Sequence, residues 1–214
     1  MIRVLIADDQ AMVRSGFRMI LDATEDIEVV GEVDNGRDAV TKALHLRPDV
    51  CLFDVRMPEL DGIAATELVA GPDVDDPLKV VVVTTFDLDE YVYGALEAGA
   101  VGFLLKNAGH ELLIAGVRAA ANGDSLISPE VTTRLLTRMV APSPTSASDD
   151  NPLTERELDV VRAVAKGYTN AEVAGELHVA LSTVKAHIAS SMSKLGARNR
   201  VELVIWAFEQ GLTD

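Results

Sequence analysis

The chain has one cysteine, no long hydrophobic run, few aromatics and little positive charge. The lone Cys51 excludes an internal disulfide and fits a reducing compartment. It lies inside an apolar run, where a free thiol behaves as a small core residue. Apolar stretches are short, such as "VVVV" at Val80–Val83. None approaches the ~20 residues of a membrane span. The N-terminal "MIRVLIADD" enters a strand pattern at once, so no signal peptide is expected, and the expected location is the cytoplasm. Cys and His form no cluster for a structural zinc. Lys+Arg number 19 against 34 Asp+Glu, a net charge of −15, which on its face argues against a nucleic-acid partner.

The charge is unevenly spread. Residues 1–140 carry 12 Lys+Arg and 24 Asp+Glu, net −12; residues 141–150 add −2; residues 151–214 carry 7 and 8, net −1. Within that last part, Ser182–Arg200 holds Lys185, Lys194, Arg198 and Arg200 and no acid. The whole-chain value therefore hides a local basic stretch.

Residues 1–123 alternate strand and helix patterns. Apolar runs predict strands at Ile2–Ala7, Ile27–Glu32, Val50–Phe53, Val80–Thr84 and Val101–Leu104. Helical spacing predicts helices over Gln10–Ala23, Gly36–Leu46, Asp61–Ala70, Leu88–Ala98 and Gly109–Asn122. Five strands alternating with five helices imply an α/β fold with a parallel sheet covered on both faces. Residues 124–150 read as a linker with a helix near 128–140, opened by Ser128-Pro129-Glu130. Its "APSPTSASDDNP" tail is rich in Pro, Ser and Asp. Residues 151–214 are all helical. Thr154 and Glu157 spell a capping box, Asn170 is the expected cap of a second helix, a third runs Ser182–Leu195, and a fourth covers Arg200–Gln210. Four short helices with tight turns fit a helix-turn-helix domain.

Open parallel sheets bind ligands beyond the C-terminal ends of the strands, where strand order reverses. In a five-stranded sheet of order 2-1-3-4-5 that place lies between the first and third strands. The first ends in Asp8-Asp9 and the third in Asp54. Three converging carboxylates repel and raise each other's pKa. A hard cation such as Mg2+ resolves this. Thr84 ends the fourth strand and Lys106 follows the fifth. A hydroxyl and an ammonium beside such a cluster form a receptor for a phosphoryl group, and an Asp carboxylate can accept one as a nucleophile.

The motifs "LIADDQ", "CLFDVRMPELDG", "VVVTTFD" and "AGAVGFLLKN" resemble the flavodoxin-like receiver domain of bacterial two-component response regulators. The resemblance implies that Asp54 is the phosphoacceptor, served by a sensor histidine kinase. It implies that Asp9 and Asp54 hold Mg2+ directly, Asp8 through water, and the Arg56 carbonyl completes the set. Thr84 and Lys106 would bind the phosphoryl oxygens. Phe103 stands at the family's aromatic switch position, turning inward as Thr84 moves. Many receivers have proline after the lysine, where this chain has Asn107; the family suggests a cis peptide bond there, and the sequence leaves open whether Lys106–Asn107 is cis. Arg56 and Phe86 occupy the positions that tune dephosphorylation. Both are bulky, so a long-lived phosphoprotein is expected.

On the third helix of the C-terminal part, Val184, Ile188, Met192 and Leu195 share one face, and Lys185, His187, Ser190, Ser191 and Lys194 occupy the rest. This suits a helix lying in a major groove with its polar side, Lys194 included, to DNA. "LTERE", "KGYTNAEVA", "TVKAH" and "KLGARNR" resemble the LuxR-type helix-turn-helix, which makes the whole chain similar to regulators of the NarL/FixJ type. The resemblance implies that Lys185, Ala186 and Ala189 face bases of promoter DNA. Thr183, His187 and Arg200 would meet phosphates or sugars. The family's Ser cap before this helix is replaced by Ala180, unless Ser182 partly substitutes. On the last helix, Val201, Val204, Ile205 and Phe208 form one apolar stripe, with Leu203, Trp206 and Ala207 round the other side. Either the domain core takes both faces, or one face forms a two-fold homodimer in the phosphorylated state.

The expected function is a phosphorylation-controlled DNA-binding regulator of transcription, not an enzyme. Haloacid-dehalogenase-like phosphatases also use a strand-end Asp with Mg2+, but need a second Asp two residues on, where this chain has Arg56. A DNA binder with a degenerate receiver is the other rival. The intact set Asp8, Asp9, Asp54, Thr84 and Lys106 argues against it.

Overall fold

A computed structural model describes residues 1–85, 89–127 and 152–212. Phe86 and the helix expected near 128–140 lie outside the described residues. The chain divides into two compact units, Met1–Arg134 and Leu135–Asp214.

The first unit contains strands β1 (Ile2–Ala7), β2 (Ile27–Val33), β3 (Val50–Phe53), β4 (Val80–Thr84), β5 (Gly102–Leu105) and β6 (Leu126–Ile127). Helices α1 (Ala11–Asp22), α2 (Gly36–Leu46), α3 (Gly62–Ala70), α4 (Asp89–Glu97) and α5 (His110–Asn122) alternate with them. The strands form one sheet of order β2-β1-β3-β4-β5-β6, and every neighbouring pair is parallel. Covered on both faces, β3 and β4 bury every residue, which is why their sequences are continuously apolar. Val4, Ile6, Leu52, Val81 and Val83 join Leu21 of α1 and Leu113, Val117 and Ala120 of α5 in one core. By alternation, Leu5, Cys51, Phe53 and Val82 face the other side, where Ala39 and Ala43 of α2 and Ala65 and Val69 of α3 are buried.

The sheet has a sixth strand where the sequence reads as linker. Gly123 ends α5 at φ +83°, and Leu126 and Ile127 then pair with Gly102 and Phe103. Two residues are too few to show a periodic pattern. Pairing along the β5 edge makes them a strand. The described residues contain no cis peptide bond, so Lys106–Asn107, which the sequence left open, is trans.

The second unit holds helices α6 (Glu155–Ala165), α7 (Asn170–Leu177), α8 (Leu181–Leu195) and α9 (Arg200–Glu209). Thr154 caps α6 in a full capping box with Glu157. The cap of α7 is Thr169, boxed with Glu172, and Asn170 is the first helical residue; here the sequence reading is off by one. The sequence offers two adjacent polar residues, and only Thr169 has the extended backbone a cap needs (φ −65°, ψ 162°). Ala180 is the N-cap of α8 and offers no side-chain acceptor, so no N-cap side-chain bond is made there. Val160, Val161, Val164, Val173, Val184, Ile188, Leu203 and Ala207 form the core of this unit.

Candidate functional site

Parallel register brings the ends of β1, β3, β4 and β5 to one edge of the sheet. Ala7 pairs with Phe53, and Thr84 with Leu105, so Asp8, Asp54, Thr84 and Lys106 leave or end their strands side by side. The Asp54 N–H donates to the Ala7 carbonyl (2.8 Å) and the Lys106 N–H to the Thr84 carbonyl (2.8 Å). Asp8, Asp54 and Thr84 are buried and Asp9 is exposed. One carboxylate oxygen from each of Asp8, Asp9 and Asp54 lies within 4.8 Å of the others. Lys106 Nζ sits 2.6 Å from Asp8 Oδ2 and 3.0 Å from Asp54 Oδ2.

Burial pushes the Asp54 carboxyl above its usual range, and the nearby Asp8 adds to this. The Lys106 ammonium and the Val55 N–H oppose the rise. With all four groups ionised, the three carboxylates and one ammonium carry a net charge of −2. An all-oxygen donor set with that residual charge, clustered at one edge and reaching solvent through Asp9, fits a hard divalent cation such as Mg2+.

Several residues that shape this edge were not singled out in the sequence. Arg14 of α1 donates to the Asp8 carbonyl (2.6 Å), and the Gln10 N–H to Asp8 Oδ1 (2.9 Å), which fixes the Asp8 side chain. A Cβ on Gly62 would lie 1.8 Å from the Asp54 carbonyl oxygen, so only glycine lets α3 start this close to the acidic edge. The "DG" at its N-terminus was legible as a helix start; the close approach was not. Arg56 is exposed, and its guanidinium donates to the Tyr91 hydroxyl of α4 (2.9 Å) with its carbon 5.7 Å from the ring centroid. Phe103 is fully buried in β5 between Val82 and Ile127.

In the second unit, Lys185, Ala186 and Ala189 are exposed on α8, and Thr183 and His187 half-buried beside them. Val184 and Ile188 are buried, with Met192 and Leu195 packed against the core. Ser191 belongs to this inner face, not to the polar one, since 184, 188, 191 and 195 follow a heptad spacing. Arg200 requires a correction. It is 9% exposed, and its guanidinium donates to Asn170 Oδ1 (2.6 Å) and to the Tyr168 carbonyl. It ties α9 to the start of α7, and its reading as a DNA contact is withdrawn. Lys194 pairs with the buried Glu157 (2.7 Å), and Arg198 with Glu202 (3.7 Å). On α9, Leu203 and Ala207 are buried, and Val204 and Trp206 pack against the core. Val201 and Ile205 are half-buried and Phe208 is 40% exposed. The outer stripe is therefore Val201, Ile205 and Phe208, with Val204 partly drawn inside.

Residues 4–118 match the family described as response regulator receiver domain, and residues 151–207 the family of bacterial regulatory proteins of the luxR type. The response regulator protein VraR of Staphylococcus epidermidis is 40% identical over 212 residues, covering 99% of this chain and 98% of that protein. YxjL of Bacillus subtilis, described as an uncharacterized transcriptional regulatory protein, is 38% identical over 215 residues, covering 99% and 97%. Among solved structures, the response regulator ChrA of a heme-sensing two-component system is similar at 35% identity and a TM-score of 0.53, covering 99% of this chain and 98% of that one. RcsB of Salmonella typhimurium is similar at 27% identity and a TM-score of 0.56, covering 96% and 97%. A strand-end acidic cluster with its lysine, a helix-turn-helix unit and full-length relatives together identify the chain as a member of the DNA-binding response regulators of two-component systems, with a receiver domain followed by a LuxR-type domain.

Proposed function

We propose that residues 1–123 form a Mg2+-dependent receiver whose phosphoacceptor is Asp54, and that residues 151–214 bind promoter DNA under its control, joined by a linker over 124–150. The observation that carries this reading is the buried triangle of Asp8, Asp54 and Lys106 at the strand ends, with Asp9 completing the carboxylate group.

Asp8, Asp9 and Asp54, with the Arg56 carbonyl, would hold Mg2+, which when bound neutralises phosphoryl oxygens and orients the incoming group. Asp54 acts as the nucleophile. Its carboxylate oxygen forms the new bond to phosphorus while the bond from phosphorus to the nitrogen of the kinase's phosphohistidine breaks. Lys106 opposes the rise that burial imposes on the Asp54 carboxyl, and its ammonium then pairs with a phosphoryl oxygen. Thr84 donates its hydroxyl to another oxygen, and Phe103, already inside, fills the space behind it. Phosphorylation shifts a pre-existing equilibrium of the receiver. Lys185, Ala186 and Ala189 face bases, and Thr183 and His187 position the helix. Pairing through Val201, Ile205 and Phe208, with Val204 beside them, places two copies on a palindromic site. Support for a homodimer comes from this half-exposed stripe and from a related protein, RcsB, whose dimers are seen on DNA. The lack of a spanning helix among the described residues is compatible with the cytoplasm.

Treating the full chain with acetyl phosphate and Mg2+ tests the site. The expected product is one base- and hydroxylamine-labile phosphoryl on the peptide holding Asp54, formed only with the metal. Labelling elsewhere, or labelling without a divalent cation, would refute the assignment.

A further inference from the structure

The Glu157 carboxylate accepts hydrogen bonds from Thr154, Ser190 and Lys194, and neither the sequence pattern nor the family match gives it a task beyond capping. It is 4% exposed. Its Oε2 accepts the Thr154 N–H (2.8 Å) and the Thr154 hydroxyl (2.9 Å), closing the capping box of α6. The same carboxylate reaches across to α8. Oε1 accepts the Ser190 hydroxyl (2.6 Å), and Oε2 the Lys194 ammonium (2.7 Å). Ser190 and Lys194 are four apart and so share a face. One carboxylate thus bolts the C-terminal half of α8 to the N-terminus of α6.

We propose that Glu157 is a positioning residue for DNA recognition: through Ser190 and Lys194 it fixes the angle at which α8 presents Lys185, Ala186 and Ala189, and Lys194 serves this clamp and not a phosphate. The inference rests on the DNA-binding reading of α8. Two features favour a positioning role over plain stability. The clamp joins the presenting helix at two points, where the capping box alone would stabilise α6 without it. The N-terminal end of α8 has no side-chain cap of its own, Ala180 being its N-cap, so the polar side-chain ties from α8 to α6 act from the C-terminal half. The partners lower the Glu157 pKa well below the usual carboxylate range, Lys194 most, then Ser190 and the Thr154 N–H, so the clamp is ionised at neutral pH. Lys194 is 37% exposed along its side chain. Sequence alone therefore counts it as a DNA cation, while its charge is already neutralised.

The test uses the full-length chain treated with acetyl phosphate. The probes are a duplex recovered from a random pool by the wild-type protein and a random-sequence duplex of equal length. The variants are Glu157→Gln, which keeps a capping-box side chain, Ser190→Ala, and Lys194→Met. The first reading is the slope of log K against log salt. Lys194→Met should leave it unchanged, whereas loss of a phosphate contact would lower it by about 0.9. The second reading is the ratio of specific to random-sequence affinity. Glu157→Gln and Lys194→Met should each lower it about tenfold, on the order of one charge-assisted hydrogen bond, with random-sequence binding little changed. Ser190→Ala should lower it less. A slope lowered by Lys194→Met, or an unchanged ratio in Glu157→Gln, would overturn the proposal. Wild-type protein that binds neither duplex in a salt-dependent way would overturn the DNA-binding reading itself, and the proposal with it.

Discussion

At the scale of single residues, the chemistry of this chain follows from where charges are forced to sit. Asp8 and Asp54 are buried at strand ends and balanced by one lysine. A buried carboxylate without such a partner is costly. The same scale holds the clearest rate prediction. Arg56 stands two residues after Asp54 and is held by the Tyr91 hydroxyl and ring. If Asp54 carries the phosphoryl group as proposed, a bulky side chain kept at that place would shield it from water. Arg56→Ala should speed loss of the phosphoryl by roughly tenfold, the scale of about 1.4 kcal/mol on a barrier. Tyr91→Phe, which keeps the ring and loses the hydrogen bond, should give a smaller increase. Decay of the purified phosphoprotein, followed by phosphate release, checks both; equal rates in all three proteins would remove Arg56 from the clock. The acidic set was legible in the sequence because each member ends an apolar run. The partners of Arg56, Lys194 and Arg200 were not, since a cation's partner across the fold leaves no periodic mark. That is how Arg200 read as a phosphate contact when it in fact bonds Asn170 and the Tyr168 carbonyl.

At the scale of elements, caps and edges account for most differences between pattern and structure. Strand and helix bodies were legible from apolar runs and helical spacing. The strand β6 was not, because its two residues gain strand geometry only from the β5 edge. The uncapped start of α8 gives a stability prediction. Ala180 has the extended backbone of an N-cap, φ −68° and ψ 147°. Ala180→Ser should stabilise the DNA-binding unit by about 1 kcal/mol, a rise in melting temperature of roughly 4–8 °C for so small a domain. No rise in thermal unfolding would mean that the first turn of α8 is satisfied otherwise. A second prediction concerns pH. Glu157 faces Lys194, Ser190 and Thr154, and its folded pKa is depressed. A depressed carboxylate contributes stability above its unfolded pKa of about 4.3, and that contribution is lost as pH falls through the folded value. The DNA-binding unit should therefore lose stability progressively below about pH 4.3, and Glu157→Gln should flatten that part of the profile. Parallel profiles from urea unfolding of the two proteins would exclude the Glu157 clamp as the cause.

At the scale of the whole molecule, the net charge of −15 and a DNA-binding role are reconciled by distribution. The receiver carries the acid, and the last part is near neutral. Even the basic stretch is thinner than its composition, because Lys194, Arg198 and Arg200 have partners inside the unit. Among the described residues, Lys185 is the cation of α8 that remains exposed without an acidic partner. Each copy then offers few charges to the DNA backbone. Under the proposed reading, weak binding per copy would make pairing decisive, and phosphorylation of the receiver would control that pairing. The two units and their fold types were legible from the switch between alternating and all-helical patterns. The coupling between them lies in no single motif.

The central claim is that Asp54 phosphorylation governs DNA binding, and titration of a selected duplex with full-length protein tests it most directly. Wild type and Asp54→Asn should be compared, both with acetyl phosphate and Mg2+ present. The expected result is tighter, concentration-dependent binding by the wild type, on the order of tenfold or more (about 1.4 kcal/mol), that Asp54→Asn lacks. Identical binding curves for the two proteins would contradict it.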